Sequence, residues 1–359
     1  MTYGDQTVNS LRTANALASV VIGRNEGDRL RRALDALKGT GDLVYVDSAS
    51  TDESVTIAEA AGADVVALNQ SAPFSAARGR NAGFAHLREK GRLTRYVQFV
   101  DGDCEVSEYW LDAAAKTLDE QPDAAIVCGR LRERDREATI FNRLCDMEWD
   151  MPRGEVPFSG GIFMGRATAF EQVGGFDASV VAGEEPELCL RLRQNGWKIL
   201  RIDQDMAWHD AAMDSFSQWW RRNVRNGHAF AEGADRHGRT AQRHWVRETL
   251  SNWFWGLIWP LMVLALAWPT IGLSLLGLLA YPLMVLRIAW RRHRGGDRWS
   301  DAWLYGAFTM LGKLPNALGQ LKYWCHRITV DGLGHIGRRA AHGAYDCGTQ
   351  RGRVATKAS

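Results

Sequence analysis

From Trp253 to Trp290 the chain reads WFWGLIWPLMVLALAWPTIGLSLLGLLAYPLMVLRIAW, with no charged side chain before Arg287, and no earlier stretch has a comparable apolar run. A bilayer core takes about 20 apolar residues per helix. The run divides at Trp268-Pro269-Thr270 into two pieces, so it predicts a transmembrane helical hairpin over residues 251–290. Arg221, Arg222, Arg225, Arg236, Arg239, Arg243 and Arg247 precede it, and Arg287, Arg291, Arg292, Arg294 and Arg298 follow it. Basic flanks on both sides put both ends on the cytosolic face, and tryptophans at the ends of the run match an interfacial aromatic belt. The alternative is a helical hairpin buried in a soluble core. Residues 216–250 read as a basic amphipathic membrane-surface segment, and residues 300–325, apolar but interrupted by Lys313, Pro315, Asn316 and Gln320, as an interfacial or re-entrant helix.

Charge removes one class of partner. Lys plus Arg number 44 against 42 for Asp plus Glu, so the strongly basic balance expected of a nucleic-acid-binding domain is missing. The six cysteines include no Cys-x-x-Cys pair, which indicates neither a zinc site nor a disulfide framework. Residues 1–17 lack the basic start and apolar core of a signal peptide and read as a flexible N-terminus. Residues 326–359, rich in Gly, Ala, Arg and His, read as a flexible tail.

Ahead of the apolar block, short apolar runs alternate with amphipathic stretches. Ala18–Ile22, Leu43–Val46, Val65–Leu68 and Tyr96–Val100 read as buried strands. Helices are predicted between them over about 28–37, 52–61 and 76–90. This order specifies an α/β fold over residues 18–215, a mostly parallel twisted sheet with helices on both faces, whose ligands sit at the carboxyl ends of the strands. The residues just past those ends are Gly23-Arg24-Asn25-Glu26, Asp47-Ser48-Ala49-Ser50-Thr51-Asp52 and Asp101-Gly102-Asp103. Two carboxylates separated by one glycine repel each other and need a cation or strong donors nearby. Such oxygen ligands suit Mg²⁺ or Mn²⁺, which commonly bind through one or two carboxylates and substrate phosphates. Around Asp47, helix capping by Ser50 or Asp52 competes with a functional reading.

These segments resemble the inverting family 2 glycosyltransferases, which have the GT-A nucleotide-diphospho-sugar transferase fold. The resemblance rests on VVIGRNE at 20–26, VDSASTD at 46–52, ARGRNAG at 77–83, FVDGD at 99–103, GGFD at 174–177 and GEEPELCLRL at 183–192. It implies nucleotide-binding roles for Asn25, Glu26, Asp47, Arg80, Asn81 and Asp101. It implies that Asp103, with Asp101 and His209, holds the metal that bridges the donor diphosphate. The family uses the second acid of a Glu-Asp pair as the base that deprotonates the acceptor. Glu185 takes that place here, although it is Glu where Asp is common; Glu184 is the alternative and Glu187 a weaker one. A helix start whose acids are favoured by the helix dipole would look the same.

Gln218-Trp219-Trp220-Arg221-Arg222 partly resembles the Gln-x-x-Arg-Trp segment of processive polysaccharide synthases. The likeness makes Gln218, Trp219 and Arg221 acceptor-binding candidates, with Arg222 where those enzymes carry Trp. Arg221, Arg222 and Arg225 could also grip an acceptor lipid's phosphates. A membrane-surface helix is the competing account. Residues 130–150 read as an acceptor-side insertion, and Phe158–Phe163 as a glycine-marked turn and strand beneath the donor sugar.

The resulting expectation is a metal-dependent enzyme on the cytoplasmic face of the inner membrane, integral to it. It would move one sugar, with inversion, from a nucleotide-diphosphate sugar to a lipid-linked or saccharide acceptor in exopolysaccharide biosynthesis, without nucleic acid as a partner. The rivals are a nucleotidyltransferase, which needs a glycine-rich phosphate loop that residues 23–27 do not supply, and a catalytically inactive membrane scaffold.

Overall fold

The computed structural model describes residues 17–70 and 72–332. Nine strands form one sheet: β1 (Leu17–Gly23), β2 (Asp42–Asp47), β3 (Asp64–Ala67), β4 (Tyr96–Asp101), β5 (Cys104–Val106), β6 (Ala124–Glu133), β7 (Gly154–Glu155), β8 (Phe163–Arg166) and β9 (Lys198–His209). The order across it is β3-β2-β1-β4-β8-β6-β9-β5, with β7 pairing β9. The helices of this part are α1 (Asp28–Asp35), α2 (Ser54–Ala60), α3 (Ala76–Glu89), α4 (Trp110–Glu120), α5 (Ile140–Glu148), α6 (Ala167–Gln172) and α7 (Glu184–Gln194).

β1 is buried on both faces through Leu17, Ala18, Val20 and Val21, as expected of a central strand between parallel neighbours. Its register sets Gly23 beside Asp47 of β2 and Ile22 beside Asp101 of β4, so the polar residues after these strands come to one edge. The sheet is mixed rather than mostly parallel. β8 runs antiparallel to both β4 and β6. Its entry loop lies at the carboxyl edge, where Gly161 meets Asp101, so the strand must start there and run back. On the far side β9 pairs β6 in parallel, placing His209 beside Glu133, and pairs β5 antiparallel, placing His209 beside Cys104.

The rest is helical. α8 (Phe216–His237) leads into a continuous limb made of α9 (Val246–Trp253), one π turn (Phe254–Ile258) and α10 (Trp259–Ala265). A reversal at 266–272 returns the chain through a 3₁₀ segment (Leu273–Leu279) into α11 (Ala280–Arg294), then α12 (Trp299–Leu311) and α13 (Lys313–Gly332). The two limbs of this hairpin are joined by Trp259 Nε1–H to the Gly277 carbonyl (3.1 Å), Ser274 Oγ–H to Val263 O (2.8 Å) and Tyr281 O–H to Trp255 O (2.5 Å). At its tip Trp268 and Ile271 are 92% and 96% exposed. Among the described residues one stretch, Leu273–Arg294, is long and apolar enough to cross a membrane by length and composition.

The expected surface segment at 216–250 is instead half-enclosed, because α8 packs against α13 at backbone distance. A methyl group on Gly227 would collide with the Asn316 carbonyl, and one on Gly319 with the Val224 carbonyl. The interfacial segment at 300–325 is two helices, parted at Gly312, and the second continues to Gly332. The tail expected from 326 therefore starts inside α13. Residues 1–16 and 333–359 lie outside the described residues. A second small core joins the helical part to the sheet part: Phe141, Leu144, Cys145, Met213 and Trp219 pack with Phe308, and Arg136 pairs with Asp301 at 2.7 Å.

Candidate active site

Loops after β1 and β2 brace each other at the carboxyl edge. The Asn25 N–H donates to Ser50 Oγ (2.9 Å), and its Oδ1 accepts from the Thr51 N–H (2.7 Å). Asp47 is buried, with Oδ2 accepting from the Ser50 N–H (3.0 Å) and Oδ1 from the Tyr45 hydroxyl (3.2 Å). Both side chains therefore shape the rim of the cleft through their own loop contacts. Glu26 lies deeper. Burial, reinforced by the charge of Asp103 and opposed by Arg29, pushes its carboxyl up to about 7.

Arg80, on α3, is 2% exposed and holds two carboxylates at once: Asp101 at 2.7 Å and Glu184 at 2.9 Å. Burial of Asp101 raises its proton affinity; the Arg80 charge works against this and Asp103 adds to it. A guanidinium this enclosed acts on the cleft through the two carboxylates that it holds, a supporting position for a residue expected at the nucleotide pocket. The same holds for Asn81. Its amide donates to the Phe176 carbonyl (2.8 Å) and its Oδ1 accepts from the Phe176 N–H (2.9 Å), fixing the Gly174-Gly175-Phe176 turn.

Two adjacent acids on α7 meet different surroundings. Glu184 faces Arg80. Glu185 is 4% exposed, and its Oε1 accepts from the Ser159 N–H (2.6 Å), the Ser159 hydroxyl (2.8 Å) and the Cys189 thiol (2.9 Å). Burial raises the proton affinity of Glu185, while those hydrogen bonds oppose it. Glu185 thereby holds down the 159–161 loop. There a Cβ on Gly161 would stand 2.8 Å from Asp101 Oδ2 and 3.0 Å from Arg80 Nη2, which is why that position carries no side chain. Glu187 is spent on Arg191, at 2.7 Å to each nitrogen.

Across the cleft, His209 Nε2 lies 3.4 Å from Asp103 Oδ2, and its Nδ1 lies 3.3 Å from Glu133 Oε2. Glu133 is buried at the end of β6 and also accepts from Asn142 Nδ2 (3.2 Å) and the Ala211 N–H (3.2 Å). With Nδ1–H given to Glu133, Nε2 presents a lone pair to a carboxylate oxygen. Two acceptors this close need a proton or a cation between them. Burial lowers the proton affinity of His209, but the bond to Glu133 and the charge of Asp103 outweigh it, and the net shift is upward. An imidazole nitrogen and a carboxylate oxygen, with a second carboxylate fixing the tautomer, form a donor set that fits a divalent ion such as Mn²⁺. The Cys104 thiol lies in the same cluster. Burial and the Asp103 charge hold it protonated, and it donates to Asp103 Oδ1 at 3.2 Å, so it orients the carboxylate. Glu133 was not among the sequence candidates.

The acceptor candidates on α8 have fold contacts of their own. Gln218 closes a capping box with Ser215, its Oε1 accepting from the Asp214 N–H (2.7 Å) and the Ser215 N–H (2.9 Å). Trp219 is buried in the second core, edge-on to Phe308 at 5.0 Å. Arg222 is taken by Glu148 at 2.8 Å. Arg221 and Arg225 remain exposed. The first two residues serve the fold because a helix start needs its amides capped and a Trp in an apolar seam contributes area burial.

Residues 19–174 match the family described as Glycosyl transferase family 2. A curated relative, a pre-mycofactocin glycosyltransferase of Mycobacterium tuberculosis, is 25% identical over 230 residues, covering 61% of this chain and 47% of its own. The chain thus spans about half the length of the curated relatives it matches. Among solved structures, a mannosyltransferase from Pyrobaculum calidifontis in complex with GDP-Man and Mn²⁺ is similar at a TM-score of 0.55. It is 17% identical, with 85% of this chain and 86% of that one covered. At that identity the likeness is one of fold, and it supports a GT-A-like α/β architecture.

Proposed function

We propose that this protein is a glycosyltransferase that moves one sugar, with inversion, from a nucleotide-diphosphate sugar to a lipid-linked or saccharide acceptor in polysaccharide biosynthesis, at the cytoplasmic face of a membrane entered by its helical hairpin. The observation that carries the reading is the pairing of Asp103 with His209, brought together where β5 meets the end of β9 and backed by buried Glu133. The match to Glycosyl transferase family 2 over residues 19–174, which include Asp47, Asp101 and Asp103, supports it.

In this reading Asp103 and His209 hold a Mg²⁺ or Mn²⁺ ion, which when bound offsets the negative charge of a departing diphosphate. Glu133 keeps Nε2 of His209 facing that position. The braced loops at Asn25 and Asp47 form the nucleoside end of the cleft. Arg80 holds Asp101 and Glu184 at fixed spacing, so their charges are oriented before substrate arrives. Glu185 is the base. Unlike Glu184 it has no cationic partner, and burial raises its proton affinity, as suits a carboxylate that must accept a proton near neutrality. The Ser159 and Cys189 bonds are all made to Oε1, which leaves Oε2 as the oxygen to take the acceptor proton.

Attachment to a membrane is supported by the exposed apolar hairpin, by the arginines at both of its ends, and by Trp268 at its tip. One hairpin leaves little material for a polymer channel, so a single transfer is favoured over processive synthesis. The test is calorimetric titration of the detergent-purified protein with UDP, GDP and dTDP, with and without Mn²⁺. One nucleotide should bind only with metal, and Asp103→Ala should abolish that binding. Absence of binding by all three to folded protein would remove the transferase reading.

A further inference from the structure

An open cleft of about 560 Å³ lies between the loop at Pro157-Phe158, the end of α7 and the start of α9. Arg193, Arg243 and Arg247 line it, and among the described residues none of the three has an acidic partner within ion-pair distance. Glu248 is the one acid in the lining, against three guanidinium groups. Arg193 Nε and His244 Nε2 are buried without a hydrogen-bond partner, although buried polar nitrogens ordinarily find one. His244 stacks on Trp245 at 4.4 Å.

The backbone here is held in unusual shape. Arg243 and Trp245 have φ of 46° and 54°, a left-handed region that bulky residues rarely occupy. That turn lays the Trp245 ring against Gly183, where a Cβ would lie 2.5 Å from the ring. Gly183 immediately precedes Glu184 and Glu185. On the opposite wall, Phe158 is adjacent to Ser159, which bonds Glu185. The cleft therefore abuts the base helix and its loop without being part of the metal-side cleft.

An apolar track leaves the same place. Leu250 lines the cleft and is exposed. Phe254, Ile258 and Leu261 follow it along the same limb and are also exposed. Spacings of three and four residues put them along one side of a helix, leading toward the hairpin tip.

The geometry points to this cleft as the binding site for the phosphate or diphosphate group of a lipid-linked acceptor, with the hydrocarbon chain lying along Leu250, Phe254, Ile258 and Leu261. This deepens the proposed function and rests on it for the word acceptor. Guanidinium forks match phosphate oxygens in geometry and charge. The track distinguishes an amphiphile from a free anion, and closeness to Glu185 distinguishes an acceptor from bulk lipid.

The test uses the full chain in neutral detergent, titrated calorimetrically with geranylgeranyl phosphate, geranylgeraniol, inorganic phosphate and a phosphatidylglycerol. The phosphorylated isoprenoid should bind at least tenfold more tightly than the other three. Arg247→Gln, an exposed single change, should weaken it several-fold, and Arg193→Gln/Arg247→Gln tenfold or more, with a shallower salt dependence. Leu250→Ser should weaken the isoprenoid phosphate and leave any inorganic phosphate binding unchanged. Equal affinity for inorganic phosphate would make the cleft a free-anion site, and equal affinity for phosphatidylglycerol a general headgroup contact; either overturns the proposal. Unchanged affinity in both arginine variants overturns it as well. Nucleotide titration with Mn²⁺ on the same preparations separates the two readings. Isoprenoid phosphate binding without nucleotide binding would leave the cleft and remove the transferase, and the reverse would do the opposite.

Discussion

Glu133 and His209, neighbours in the parallel register of β6 and β9, stand 3.3 Å apart between carboxylate and Nδ1, and this contact determines what the other imidazole nitrogen offers to Asp103. A carboxylate behind a ligating histidine typically contributes a factor of about 10–100 in metal affinity. Glu133→Gln should therefore raise the Mn²⁺ concentration needed for nucleotide binding by that factor. The midpoint of a Mn²⁺ titration at fixed nucleotide measures it. An unchanged midpoint in a folded variant would remove His209 from the metal site.

The two adjacent acids on α7 should separate kinetically. Glu185→Gln is expected to lower kcat by about 10²-fold or more, the usual contribution of a positioned base, with donor binding within a few-fold of wild type. Glu184→Gln breaks the Arg80 bridge that also holds Asp101, so its loss should appear mainly in donor binding. The reversed pattern would make Glu184 the base.

The pH profile of kcat follows from the same assignment. Burial lifts the Glu185 carboxyl above its ordinary value, and a base works only when deprotonated. Activity should fall as pH drops through an apparent pKa above about 4.5, and buffer-matched kcat measurements between pH 4.5 and 8 would locate it. An acid limb at or below 4.5 would contradict the assignment.

Glu26 gives a stability test. Its carboxyl is pushed up to about 7, so between about 4.5 and 7 the folded chain retains a proton that the unfolded chain releases. Stability is therefore lost as pH rises through that window. In metal-free protein Glu26→Gln should raise stability at pH 8 by on the order of 2 kcal/mol, read as a higher Tm, and have little effect at pH 4.5. Equal gains at both pH values would point to packing instead.

Trp219 is assigned to the second core, and its replacement should behave accordingly. Trp219→Ala should cost about 3–5 kcal/mol, read as a loss of thermal stability, whereas Trp219→Phe should recover much of it. A stable Trp219→Ala protein with a raised acceptor KM would return this residue to the acceptor site.

The sheet centre was legible because β1, β2 and β4 are short, mostly apolar runs rich in β-branched and aromatic residues, broken only by Ser19 and Gln98, and too short for buried helices. Asp47, Asp101 and Asp103 follow from those strands by position alone. Glu133 was hidden in a highly charged segment, Arg130 to Arg136, that read as the start of an acceptor-side insertion rather than as the end of a strand. β6 extends through it only because the twelve-residue β9 pairs along its length. Period-two spacing of Leu131 and Glu133 was the available signal. The capping role of Gln218 was readable in Ser215-x-x-Gln218, a capping-box pattern. The burial of Arg80 depends on α7, about 100 residues away in the chain, and no local pattern reports such a contact. The antiparallel entry of β8 was hidden for the same reason.

Gly227 and Gly319 seat α8 and α13 backbone to backbone, Gly256 seats the first hairpin limb on α13 at the Lys313 carbonyl, and Trp219 of α8 packs into the second core with Phe141 and Leu144 of α5, so a chain of packed helices joins the sheet part to the hairpin. With the hairpin embedded as proposed, the height and tilt of the catalytic cleft above the lipid are fixed when the chain folds, as on a short rigid post rather than a tether. Such an enzyme works at one distance from the surface. Acceptors whose reactive hydroxyl stands at that height are served, and longer saccharides are passed over without any contact to their outer sugars.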